Sequence, residues 1–462
     1  MADRFEPLYS SAEMRSAEER YPSYPESIPE LMERAGVAVA REAMRAYPAA
    51  RSFACVCGGG ANGGDGRVAA RVLREAGHVA DEVDDGLERY EVVVDALFGT
   101  GFRGAPRPEA AELIERMNSS PVPVVSVDLP SGLDASTGEV AGAVVEASLT
   151  VTFHGSKVGL VVAPGRFHVG VVVVVDIGLD DVETEARRAT PALLGAVPLR
   201  RAKDTKYSSG SVLVVGGQPG MTSAACLTAL AALRADAGYV TLAVPEEALP
   251  AAEALALEPV KLPWGEDDAV RTITAAADRA AVMALGPGLG RGGGRLRLVR
   301  ELLERVDLPA VVDADALFEL EPVTRDAATV LTPHAGELGR LLGWEAAAVA
   351  ARRLEAAREA AERFGCVVLL KGADTIVASP GRGVIVSDNG PPALATAGTG
   401  DVLTGIVAAF LAKGLEPRVA ASAAAIAHGA AARLVPHQAG LVASDLLAAL
   451  PAALEADAPE TV

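Results

Sequence analysis

The chain has 462 residues, 50% hydrophobic and 22% charged, which encodes compact folded domains rather than disorder and is too long for a single comfortable core. A formal net charge of −19 excludes a general nucleic-acid role, although backbone N–H groups can still hold phosphate locally. The four cysteines, Cys55, Cys57, Cys226 and Cys366, lack zinc spacing and point to a reducing, cytoplasmic compartment.

Taken in order, the N-terminus carries Asp3, Glu6 and Glu13 in place of an apolar signal core. Residues 11–46 have helical spacing, with Ile28, Leu31, Met32 and Ala35 on one face and Val39 and Ala43 further on. Residues 52–57 read as a strand entering the glycine cluster 58–66, with a helix predicted from about Arg67. Strand, glycine turn and helix make the phosphate-side corner of a nucleotide fold, though the spacing is not the dinucleotide fingerprint. Asn62 and Asp65 in that turn suit a ligand hydroxyl, an amide or a cation, or equally their own turn. Further strands end at Asp95 and at Asp128, the latter followed by Ser131. In a parallel sheet such ends share one crevice, so Asn62, Asp95, Asp128 and Ser131 can converge as hard oxygen donors, suiting potassium or magnesium better than zinc. Lys157, after another short strand, is either catalytic or a surface charge; His154 reads as structural. The valine run 171–175 is far too short to cross a bilayer and reads as a buried strand. This domain should close near Pro198.

Residues 201–210 are linker-like, and 211–217 begin a fresh strand–glycine loop–helix unit, so a second α/β domain starts at about 200. Apolar runs then lead repeatedly into polar loops: Gly286 to Gly290, Asp313 and Asp315, Thr332 to Glu337, and Lys371 to Thr375. That repetition describes a parallel sheet with its site at the C-terminal edge of the strands. Asp313, Asp315 and Glu337 order their loops or bind ligands, Glu337 with a divalent ion. His334 caps a helix start or touches substrate, and Lys371 meets phosphate or solvent. Residues 384–389 read as an edge strand. The turn 395–405 places Gly398 and Gly400 before a helix start, with Asp401 positioned to accept a proton. A phosphoryl-transfer site with one carboxylate base is the functional reading, and a capped glycine loop the structural one. His428, inside an Ala-rich helix, reads as packing; the acidic tail after Pro451 is expected to fray.

Two motif sets, Ala61-Asn62-Gly63-Gly64-Asp65-Gly66 and Lys371–Thr375 with Gly398–Asp401, occur in a fused order. On these the chain, from about residue 9 to 450, resembles the bifunctional NAD(P)H-hydrate repair enzymes. The resemblance implies an α/β fold of two domains: residues 1-199, a Rossmann-like three-layer αβα sandwich with NAD(P)HX epimerase activity, and residues 200-462, a ribokinase-like αβα domain with ADP/ATP-dependent NAD(P)HX dehydratase activity. For the first domain it implies potassium on Asn62, Asp95 and Ser131. Substrate would lie on Asn62, Gly63, Gly64, Asp65, Gly99, Thr100, Gly101, Phe102, Arg103 and Gly104, with proton handling by Asp128 and Lys157. For the second it implies substrate on Ala224, Gly288, Gly290, His334 and Asp401, with Asp401 catalytic. Adenine nucleotide would lie on Lys371, Gly372, Ala373, Asp374, Thr375, Gly398, Thr399 and Gly400, with ADP or ATP as co-substrate and magnesium. Ala61 replaces the family's first Asn, Met221 a commoner Tyr, and residues 390–395 depart from the family's Asn-Pro-Gly-Met-Ala. The implied partners are NADHX, NADPHX and adenine nucleotide, with no nucleic acid and no membrane, in a homo-oligomer. Two other readings stay open: a ribokinase-like small-molecule or vitamin kinase, and a nucleotide-binding protein with an inactive N-terminal domain.

Overall fold

The computed structural model describes residues 4–455, which form two compact units. One comprises Pro7–Ala186 with Ala350–Arg352; the other comprises residues 4–6, Arg187–Val349 and 353–455. The stretch 187–199 therefore packs with the second unit. No helix among the described residues is long and apolar enough to cross a membrane. Of the expected frayed tail, the part up to Glu455 is helical and the remainder lies outside the described residues.

The first unit holds six strands in the spatial order Val79–Glu82, Ser52–Cys57, Val92–Ala96, Val124–Val127, Leu149–Phe153 and Val171–Val175. Every pairing is parallel. The central strands are rich in valine and buried along their whole length, as a parallel sheet covered on both faces requires. The helix Ile28–Ala46 turns Leu31, Ala35, Val39 and Ala43 inward and packs on the helix Ala61–Glu75. The latter begins six residues before the expected Arg67, inside the glycine cluster. Its first turn lies hard against Gly58, Met32 and Ala96, where side chains would collide, so packing overrides glycine's poor helix propensity. The expectation of a buried valine strand is corrected: Val171–Val175 ends the sheet, leaving Val171 66% and Val174 47% exposed.

The second unit is built on an eleven-stranded sheet. Its order is Phe5–Leu8, Ala186–Ala189, Arg382–Ser387, Thr375–Ser379, Val367–Leu370, Thr329–Leu331, Ala310–Val312, Val282–Leu285, Ser211–Val215, Tyr239–Pro245 and Val260–Trp264. From Val367–Leu370 to Val260–Trp264 the pairings are parallel. Thr375–Ser379 and Arg382–Ser387 then continue as antiparallel neighbours. Arg382–Ser387 is interior rather than at an edge, because Ala186–Ala189 covers it.

The helix Thr399–Ala412 is buried almost all round and packs between Thr222–Arg234 and Pro417–Leu434. Alanine and glycine at these contacts let the helix axes approach closely. At Gly405 a Cβ would fall 2.2 Å from the Thr228 carbonyl oxygen. Gly405→Ala should therefore destabilise the second unit by about 1–3 kcal/mol, measured by urea unfolding of the full chain. An unchanged midpoint would show that this approach tolerates a methyl group.

Candidate active sites

At the C-terminal strand ends of the first unit lies a cavity of about 550 Å³, whose wall includes Asn62, Asp65, Asp128 and Lys157. Gly99, Thr100, Gly101, Phe102 and Arg103 form a further part of the wall, with Phe98 stacked on Phe102 at 4.7 Å. Gly63, Gly64 and Gly104 are not part of it; Gly63 backs onto the Gly58 carbonyl and Gly64 onto Met32.

Asp128 sits in the left-handed region at φ 68°, a strain of order 1 kcal/mol for a residue with a Cβ. Its carboxylate accepts from Lys157 Nζ at 2.8 Å, Thr152 Oγ1 at 3.1 Å and the Thr100 amide at 3.2 Å. Lys157 is wholly buried and also donates to Thr152 Oγ1 and the Phe153 carbonyl, each at 2.8 Å. All three ammonium N–H groups thus have acceptors, as burial of a lysine requires.

Asp95 lies just beneath, fully buried. It accepts from Ser131 Oγ at 2.6 Å, Ser126 Oγ at 2.8 Å, and the Ser131 and Leu97 amides at 2.9 and 3.3 Å. All are neutral donors, and burial outweighs them, raising the Asp95 pKa. Asn62 Nδ2 donates to the Phe98 carbonyl at 2.9 Å, and Ser131 Oγ approaches the same oxygen at 3.4 Å. Asn62, Asp95 and Ser131 therefore meet around Phe98.

Sequence reasoning missed Met14 and Glu18, which reach the cavity wall from the helix Ser11–Glu19. The available signal was their spacing of one helical turn, which puts both on one face. Burial first, then Asp128, raises Glu18. Burial, then Asp128 and Glu18, pushes Asp65 up to about 8.

In the second unit, Gly398 at φ 89° precedes the helix Thr399–Ala412 and gives it a left-handed N-cap that a Cβ would strain. Asp401 stands at the third helical position, in the turn whose backbone N–H groups lack intrahelical acceptors. Lys371 Nζ bonds Asp313 Oδ1 at 2.8 Å and lies 3.9 Å from Glu337 Oε2. A Cβ on Gly400 would lie 3.4 Å from that ammonium, so the glycine turn and Lys371 face one another. Burial works against the charge on Lys371, but Asp313 and Glu337 hold its pKa above the ordinary value. Burial, then Asp313, pushes Asp401 up to about 7, with Lys371 opposing.

The flanking loops converge here too. Gly288 packs on Met221 and Ala224, and the Gly290 amide donates to Asp315 Oδ2 at 2.9 Å. His334 caps the helix Ala335–Leu342, its Nδ1 accepting from the Gly336 and Glu337 amides while Glu337 accepts from the His334 amide. Within residues 371–375, Asp374 is buried and paired with Arg353 at 2.9 Å. Thr404, not singled out from sequence, donates to Asp313 Oδ2 at 2.6 Å; its place three residues beyond Asp401 on one helix was the clue. Burial pushes His428 down to about 4, a hydrogen bond with the Thr399 backbone opposing, so it packs behind the turn as a neutral ring.

Two family models match. One, described as NAD(P)H-hydrate dehydratase, covers residues 212–452; the other, described as YjeF-related protein N-terminus, covers residues 29–83 and 78–159. The chain is 40% identical to the bifunctional NAD(P)H-hydrate repair enzyme of Moorella thermoacetica, over 91% of each chain. It is 36% identical to that of Escherichia coli, over 91% of this chain and 88% of the relative. Among solved structures, it is similar to the ADP/ATP-dependent NAD(P)H-hydrate dehydratase of Bacillus subtilis co-crystallised with ATP/Mg2+. Identity there is 30% and the TM-score 0.53, covering 58% of this chain and 97% of that one. A ribokinase-like superfamily protein from Enterococcus faecalis, 22% identical with a TM-score of 0.52 over 60% of this chain and 99% of that one, shares the fold.

Burial pushes the folded Asp401 carboxyl up to about 7, against an ordinary value of 3.8 for the unfolded chain. Ionised Asp401 therefore destabilises the second unit progressively as pH rises between those values. Asp401→Asn should raise the unit's Tm at pH 8, with the gain shrinking toward pH 5, by calorimetry. An equal gain at both pH values would contradict this coupling.

Proposed function

The chain belongs to the bifunctional NAD(P)H-hydrate repair enzyme family, and from that premise we propose how its two clefts divide the work. The protein repairs hydrated NADH and NADPH by epimerising the R and S forms and by dehydrating the S form at the expense of ADP or ATP. We assign epimerisation to residues 1-199 and dehydration to residues 200-462, an assignment supported by the spans of the two family models.

The hydrated ring carries a hydroxyl at C6, and hydroxide is a poor leaving group. In the second cleft Asp401 takes the C6 hydroxyl proton while that oxygen attacks the terminal phosphoryl group of the nucleotide. The backbone at Gly398, Thr399 and Gly400 and the charge on Lys371 stabilise the negative charge that develops. Phosphate then leaves from C6 as a proton passes from C5 to solvent, restoring the C5=C6 double bond. Asp401, held near neutrality in the first turn after Gly398, is the observation that carries this reading. A base with a pKa near the working pH is both deprotonated often enough and basic enough. Ala224, Gly288, Gly290 and His334 then border the substrate, and Lys371, Gly372, Ala373, Asp374 and Thr375 the nucleotide phosphates. Since Arg353 occupies the Asp374 carboxylate, that segment contributes backbone and the Lys371 charge.

Three carboxylates of this cleft already have partners: Lys371 and Thr404 on Asp313, Arg291 and the Gly290 amide on Asp315, and the His334 amide on Glu337. They do not form a magnesium cage. A potassium ion fits the first unit better. Asn62, Asp95 and Ser131 would hold it, and it would supply the positive charge that the neutral donors around buried Asp95 do not. There Asp128, oriented by Lys157, assists reversible loss and return of the C6 hydroxyl, with Asn62, Asp65 and residues 99–103 around the substrate, while Gly63, Gly64 and Gly104, expected from the resemblance to touch it, stand off the wall.

Asp401→Asn should lower kcat for dehydration of the S hydrate by about 100-fold or more with either nucleotide, while R-to-S conversion continues. Wild-type turnover in that variant would remove Asp401 as the base, and a stable phosphorylated product from wild type would favour a kinase instead. Potassium should raise the Tm of the first unit more than choline does at equal ionic strength, and Asp95→Asn should abolish the difference. A shift that survives in Asp95→Asn would place the ion elsewhere.

A further inference from the structure

We infer that Glu18, on the helix Ser11–Glu19, is the proton donor of the first-unit cleft, a role that rests on epimerisation being the reaction there. Exchange at C6 by loss and return of water needs two proton-handling groups. One makes the hydroxyl leave as water; the other receives a proton from the incoming water.

Asp128 is suited to the second task and not the first. Its carboxylate already accepts from the Lys157 ammonium, a hydroxyl and an amide, and so presents an acceptor. Asp95 lies off the cavity wall, taken up by Ser126, Ser131 and Leu97. Two carboxyls on the wall, Glu18 and Asp65, have neither a hydrogen bond nor an ion pair among the described residues. Asp65 stands one turn along the same helix from Asn62, in the corner assigned to potassium, and Asp65→Asn separates its role from that of Glu18.

Glu18 arrives from a separate helix, one turn beyond Met14, and is only partly buried. It therefore reaches both the cavity and the solvent from which a donor must recover its proton after each turnover. The charged groups around it are Arg15 and Glu19 on its own helix, Asp65, Asp128 and Lys157. Burial and Asp128 favour its protonated form; Lys157 and Arg15 oppose them.

In the forward step the Glu18 carboxyl gives its proton to the C6 hydroxyl. The C6–O bond breaks, the N1 lone pair forms an N1=C6 bond, and water departs, leaving Glu18 ionised. In the return step water adds to C6 from the other face of the ring, its proton passes to Asp128, and the N1=C6 electrons return to N1. Proton transfer from Asp128 through solvent to Glu18 resets the site, so no net proton, oxidant or reductant is consumed.

Glu18→Gln, Glu18→Asp and Asp65→Asn in the full chain test this, using pure R hydrate, chiral chromatography and pH–rate profiles. Thermal unfolding of the same preparations reports that the first unit of each variant is folded. Glu18→Gln should lower kcat for R-to-S conversion about 100-fold with little change in KM, and abolish the fall in rate at high pH that marks loss of the donor's proton. Glu18→Asp should restore much of the rate and that limb. Wild-type kcat and profile in Glu18→Gln would overturn the assignment, as would disappearance of the limb in Asp65→Asn alone. No conversion above background by the wild type would overturn the epimerase reading itself, and this inference with it.

Discussion

In each cleft a lysine is held against an aspartate where water is largely excluded, Lys157 on Asp128 and Lys371 on Asp313, both at 2.8 Å. Such pairs are costly to bury, and breaking one by removing a single partner typically costs about 3–5 kcal/mol. They persist here because parallel strands deliver both partners to one edge of a sheet and hydroxyls or carbonyls take the remaining lone pairs and protons. Thr152 and Phe153 do this for Lys157, and Thr404 for Asp313.

The pairs also set the behaviour of the carboxyls beside them. Asp128 and Asp313 have donors and serve as acceptors. Asp65 and Asp401, mostly buried and near other negative charges, are pushed up to about 8 and about 7. Environment thus separates carboxylates that anchor a lysine from carboxyls that keep their proton to higher pH.

Much of this was legible because strands with helices on both faces are written as short apolar runs, and each run here ends in glycine or polar residues. Asn62, Asp95, Asp128, Ser131 and Lys371 are placed at or just after strand ends by the sequence alone, and Asp401 at a helix start. Other features were not readable locally. The helix from Ala61 starts where propensity opposes it, because only the packed neighbours explain the glycines. The valine run at Val171–Val175 looked internal, and its exposure follows from being last in the sheet. His334 proved to cap a helix, as one of its two readings held.

The sequence by itself determined that there are two α/β halves, where their strands end, and which motifs tie them to a family that repairs hydrated nicotinamide cofactors. Those properties reside in local periodicity and in short contiguous motifs. Only the tertiary structure decided which carboxyls burial raises, that Arg353 occupies Asp374, that Thr404 supports Asp313, and that Glu18 enters the first cleft. Protonation and pairing depend on burial and on charges brought together from distant parts of the chain, and no linear spacing records those distances.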